Sequence, residues 1–134
     1  MKLSTRGRYG TRMMLELAAH YDDGPVPLNE IARRQALPVK YLEQLIIPLK
    51  AAHLIRSVRG AKGGYTLERK PAAINVCQVV EILEGSLSLV DCVEAPEACE
   101  REEACPTRAI WARMSEILTE ELSSISLQDV LNSG

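Results

Sequence analysis

Six residues, Arg59-Gly60-Ala61-Lys62-Gly63-Gly64, set three glycines and two cations between two strand-like runs. Leu54-Ile55-Arg56-Ser57-Val58 alternates ahead of them, and Tyr65-Thr66-Leu67 follows. This reads as a β-hairpin with a glycine-rich, basic tip. The residues upstream restrict the fold further. A short amphipathic helix is expected over Leu28–Gln35, with Leu28, Ile31 and Ala32 inward, and Ala36-Leu37 makes a tight connection. Pro38 suits the first turn of a next helix, where its missing N–H costs nothing. That helix, over about 39–52, turns Leu42, Leu45, Ile46 and Leu49 inward and leaves Lys40, Tyr41, Glu43, Gln44 and Lys50 for the outward side. Pro48 predicts a kink or an early loosening there. Two short helices, a tight turn and a hairpin make a winged helix-turn-helix.

Around this unit the chain is mainly α, with the hairpin as a small wing and a long C-terminal dimerisation helix. Ser4 can cap a first helix over about 4–21, in which Tyr9, Met13 and Leu17 recur at helical spacing. Gly7 and Gly10 weaken it by up to about 1 kcal/mol each relative to Ala, and give room for another backbone or a DNA strand. Asn75 caps a further helix over about 76–83, ending at Gly85. A cysteine-containing loop is expected over 86–104. The last long helix should start at Cys105-Pro106 and run to about 124, and Ser126-Leu127-Gln128-Asp129 has the form of a capping box. The organisation expected is a DNA-binding domain over 1–85, the cysteine loop over 86–104, and the dimerisation helix and tail over 105–134.

Charge divides along the same line. Residues 1–70 carry 13 Lys and Arg against 6 Asp and Glu, and residues 71–134 carry 3 against 12, within a net charge of −2. A basic half points to a polyanion partner. In a helix-turn-helix the second helix lies in the major groove. Its candidates are Lys40 for a phosphate, Tyr41, and Glu43 and Gln44, which can pair with cytosine and adenine respectively. Arg59 and Lys62 at the hairpin tip could reach a phosphate or the minor groove. Alone, Glu43 and Gln44 would read as a solvated helix face; the basic hairpin and the charge division favour DNA.

Other classes fare worse. No run of about 18 apolar residues exists to span a membrane, and MKLSTRGRYG lacks the apolar stretch of a secretory signal, so a cytoplasmic location is expected. Enzyme chemistry on a cysteine has no partner set, since the two histidines, His20 and His53, both fall in the basic half. In the last helix Trp111, Met114, Leu118, Leu122 and Ile125 are spaced 3, 4, 4 and 3, a coiled-coil-like seam. A helix of about 20 residues extends about 30 Å, too far to serve only as a lid, so a two-fold dimer is expected.

Three cysteines stand as Cys92-x6-Cys99-x5-Cys105 in an acidic stretch. Thiolates are soft ligands for iron–sulfur clusters, zinc or copper(I), and these spacings are not those of zinc ribbons. Cys105 at a helix N-terminus would be favoured as thiolate, whereas Glu94, Glu97, Glu100, Glu102 and Glu103 oppose ionisation. Cys77, on the short fourth helix, reads as a small core residue.

The runs MKLSTRGRYGTRMMLELA, PLNEIARRQ and YLEQLIIPLKAAHLIRSVRGAKGGYTL, with INVCQVVEILEG and Trp111, resemble the bacterial iron–sulfur cluster regulators of the IscR type, a winged-helix family that includes NsrR and CymR. The resemblance covers nearly the whole chain. It implies a homodimeric repressor or activator on an inverted repeat of double-stranded DNA. It also implies that Tyr41, Glu43, Gln44 and Arg59 lie at the DNA, that the last helix forms the dimer, and that Cys92, Cys99 and Cys105 hold an iron–sulfur cluster, 2Fe–2S ahead of 4Fe–4S. Departures from the family pattern concern the fourth ligand. IscR-like members place a histidine three positions after the third cysteine, where this chain has Arg108, and the nitric-oxide sensors place an acidic residue near the N-terminus, where it has Arg8. Zinc, thiol oxidation or a protein partner stand as alternatives to the cluster.

Overall fold

Ser4 begins the first helix by accepting a hydrogen bond from the Arg6 amide, and α1 runs Thr5–Ala19. The structure is a computed structural model that describes residues 2–95 and 105–134. A second cap comes from far along the chain. Glu84 Oε1 accepts from the amides of Ser4 and Gly7 at 2.9 and 3.0 Å, and from the Ser4 hydroxyl. A carboxylate here satisfies helix-end donors and meets the positive end of the helix dipole. Glu84 ends α4 (Val76–Glu84), which packs on α1 so closely that a Cβ on Gly10 would stand 2.0 Å from Leu83 Cδ1. The room made by the two glycines is therefore filled by α4 and not by DNA.

After a 3-10 turn at Tyr21–Asp23, α2 spans Leu28–Gln35 and stops on Ala36 in the left-handed region, φ 55°. The next helix, α3, spans Val39–Ala51. Pro38 stands one position earlier than expected, as N-cap, its carbonyl accepting from Tyr41 and Leu42 at 3.1 and 3.2 Å. Pro48 does not end the helix. It removes one amide donor, and α3 continues three residues to Ala51.

The wing is an antiparallel pair, β1 (Ile55–Val58) and β2 (Gly64–Leu67), in register from Ile55↔Leu67 to Val58↔Gly64. Val26 adds a bridge to Tyr65, both hydrogen bonds 2.9 Å, which ties the wing to the segment before α2. Gly64 makes this approach feasible: its φ is 154° and a Cβ would lie 2.3 Å from the Val26 carbonyl oxygen.

Beyond α4, which Asn75 and Gln78 open with a reciprocal capping box, the expected loop contains a one-turn helix, α5 (Asp91–Glu94). The long helix α6 spans Arg108–Ser123 and so begins three residues after Cys105, because Pro106 and Thr107 form a turn. Ser126 and Asp129 form the expected capping box of α7 (Leu127–Ser133). This tail returns to the DNA-binding half. Leu127 is fully buried in one core with Met13, Leu17, Leu45 and Ile74, and its amide donates to the Ile74 carbonyl at 2.9 Å.

Candidate nucleic-acid interface and cysteine loop

Burial divides α3 into two faces. Leu42, Leu45, Ile46 and Leu49 are buried, whereas Lys40, Glu43, Gln44, Ile47 and Lys50 are exposed along one stripe. Lys50 Nζ donates to Ser57 Oγ at 3.1 Å, pinning the helix to the wing, and Arg59 and Lys62 are exposed between the strands. Tyr41 is placed differently from the outward position expected for it. It is half-buried, its ring edge-on to Tyr9 at 6.0 Å and its hydroxyl donating to Thr5 Oγ1 at 3.1 Å. It braces α3 against α1. Ile47 was missed as an outward residue, although it lies three and four residues from Gln44 and Glu43.

An ion-pair cluster fixes the helices behind this face. Arg34 on α2 bonds Glu16 on α1 at 2.8 Å and Glu30 at 2.5 Å, while Gln35 donates to Glu16 and accepts from Arg12. Burial raises the Glu16 pKa, but the hydrogen bonds from Arg34 and Gln35 and the Arg34 charge outweigh it and hold the carboxyl below its ordinary value.

The apolar seam is only partly covered by its own domain, and its last expected member, Ile125, lies two residues beyond the end of α6. Trp111, Met114 and Leu118 are exposed, with Ile110 and Ile117 beside them, whereas Leu122 and Ile125 are half-buried. The buried residue of this helix is Ser115, whose hydroxyl donates to the Trp111 carbonyl and accepts from the Leu89 amide at 2.9 Å. Leu118 and Leu122 line a cleft of about 790 Å³ with Leu3, Val80 and Leu89.

The two described loop cysteines flank the junction of α5 and α6. Cys92 lies on α5 and is half-buried; Cys105 is half-buried beside Thr107, Sγ to Oγ1 3.2 Å. Arg108 Nε donates to the Cys92 carbonyl at 3.1 Å and so joins the two flanks. A guanidinium has donors only, so Arg108 offers no metal ligand. Cys105 stands ahead of the Pro106–Thr107 turn and not on α6 itself. Cys99 and Glu97, Glu100, Glu102 and Glu103 lie outside the described residues, and among the described residues no three metal-ligating side chains converge. Half-buried thiols at one junction have the donor chemistry that a soft metal centre needs. Cys77 is buried on α4 as expected; burial, with the charge of Glu81, pushes its thiol up against an opposing hydrogen bond from Ser123. Among the described residues, no helix is long and apolar enough to cross a membrane.

The fold has known relatives. Residues 3–133 match the Rrf2 family, described as iron-dependent transcriptional regulators. The protein rrf2 of Nitratidesulfovibrio vulgaris is 44% identical over 131 residues, 98% of this chain and 87% of that protein. The solved structure of CymR, the global cysteine regulator of B. subtilis, superposes with a TM-score of 0.84 at 40% identity, covering 100% of this chain and 98% of that one. T. potens IscR superposes at 0.82 and 41% identity, covering 99% and 88%.

Proposed function

The chain belongs to the Rrf2 family of transcriptional regulators, and from that membership we propose a homodimer that binds an inverted repeat in double-stranded DNA under the control of its cysteine loop. One observation carries the DNA reading: the exposed stripe of α3 bears Lys40, Glu43 and Gln44, and the wing beside it presents Arg59 and Lys62. In this reading Glu43 and Gln44 meet base edges, while the three cations meet phosphates and set the register. The uncovered Trp111, Met114 and Leu118 form the two-fold interface, which Leu122 and Ile125 continue.

Cys92, Cys99 and Cys105 would hold an iron–sulfur cluster through thiolates, 2Fe–2S rather than 4Fe–4S. When bound, the cluster would supply a centre sensitive to redox state or nitric oxide. A series of contacts would connect it to the DNA-facing helix. Arg108 joins α5 to α6, Ser115 joins α6 to the segment after α4, and Glu84 joins α4 to the start of α1, against which Tyr41 holds α3. A shift of α5 against α6 would move along these contacts to the recognition helix.

A second reading is favoured by Arg108 itself, which leaves the fourth ligand without a protein donor at that position, and by the likeness to CymR. Here DNA binding remains, and zinc, thiol oxidation or a protein partner replaces the cluster. Anaerobic purification separates the two. Equal iron and sulfide with visible absorption, lost in Cys92→Ala, Cys99→Ala and Cys105→Ala variants, supports the cluster; a colourless protein that resists reconstitution supports the second reading.

A further inference from the structure

The stripe proposed to face DNA is polar except at one point. Ile47 is 69% exposed, the most exposed large apolar side chain among the described residues. Its neighbours Leu45, Ile46 and Leu49 are buried, so the core takes up the opposite face of α3 and leaves Ile47 in water. Around it Glu43, Lys50, Ala51 and Tyr65 form a shallow concavity of about 510 Å³. A single exposed isoleucine between Glu43 and Lys50, with Ile46, Ala51 and Tyr65 beside it, is far smaller than the apolar patches of a few hundred Å² that mark protein-binding surfaces. Its setting suits a ligand that is polyanionic overall and apolar at one spot.

The major groove offers such a spot in the C5-methyl of thymine, set among donors and acceptors. We propose that Ile47 is a specificity-determining residue that packs against one thymine methyl in each half-site; this rests on the reading of α3 as the DNA-facing helix. With a rise of 1.5 Å per residue, Ile47 lies about 6 Å beyond Glu43 along α3, one helical turn on the same face.

The full-length chain can select its preferred duplex from a randomised pool, after which each thymine is replaced in turn by deoxyuridine, which lacks only the methyl. At one position per half-site the swap weakens wild-type binding about three- to fourfold, the worth of one buried methyl group, and about tenfold when both half-sites carry it. Ile47→Ala, whose thermal unfolding matches wild type because the side chain is exposed, binds the thymine duplex weaker by the same factor and is indifferent to the swap. If no thymine responds, or if wild type and Ile47→Ala respond alike at every position, the inference is overturned while DNA recognition by α3 stands. If the wild type enriches no sequence at all, both are overturned.

Discussion

Gly10 and Glu16 show how single residues fix the frame on which the recognition helix rests. A methyl group at residue 10 would need the space that Leu83 Cδ1 occupies. Gly10→Ala is expected to destabilise the fold by about 1–3 kcal/mol in denaturant unfolding, and Leu83→Ala in the same chain should lessen the added loss. Glu16 predicts a pH dependence. Its carboxyl is held below the ordinary value of 4.5 in the folded chain by Arg34 and Gln35, net of the burial that opposes them. The folded state then binds fewer protons than the unfolded one, so this contribution is present above pH 4.5 and is lost as pH falls below it. Glu16→Gln should flatten that part of the stability profile; an unchanged acid limb would refute the role given to the pair.

Among the elements, α3 and the wing divide positioning from reading. Lys40→Ala, Arg59→Ala and Lys62→Ala should each weaken binding to all duplexes and, acting on both protomers, make the salt slope shallower by about 2, whereas Glu43→Ala and Gln44→Ala should relax base preference. For α6, Trp111→Ala should cost the dimer about 2 kcal/mol or more, measured by sedimentation, with the protomer still folded because the side chain is exposed. Elements whose ends carry their own signals were legible in the chain: Ser4, Asn75 and Ser126 cap the helices expected of them, and the periodicity of α2 gave its bounds. Contacts between distant segments were not. Nothing local marks Glu84 as a cap for α1, Val26 as a partner of Tyr65, or Tyr41 as a brace toward Thr5. One turn of helix at α5 is too short to show a period. Cys105-Pro106 carries the composition of a helix start but forms the turn ahead of α6.

At the scale of the whole molecule, the basic half carries α3 and the wing, and the acidic half carries the cysteine loop and the uncovered seam of α6. The two remain connected: α4 packs on α1, and α7 returns to bury Leu127 in the common core. This arrangement predicts that Cys92→Ala, which removes a thiol at the junction of α5 and α6, alters DNA affinity or site choice although α5 lies outside the α3 stripe and the wing. Binding unchanged in both respects would disconnect the loop from the helix-turn-helix. Most direct for DNA recognition by α3 and the wing is the salt dependence of affinity for the selected duplex. Lys40, Arg59 and Lys62 on two protomers give six cations, so log affinity should fall against log salt with a slope of about −5, shallower in the triple alanine variant. A slope near zero, or one unmoved by removing these cations, would contradict DNA recognition by this face.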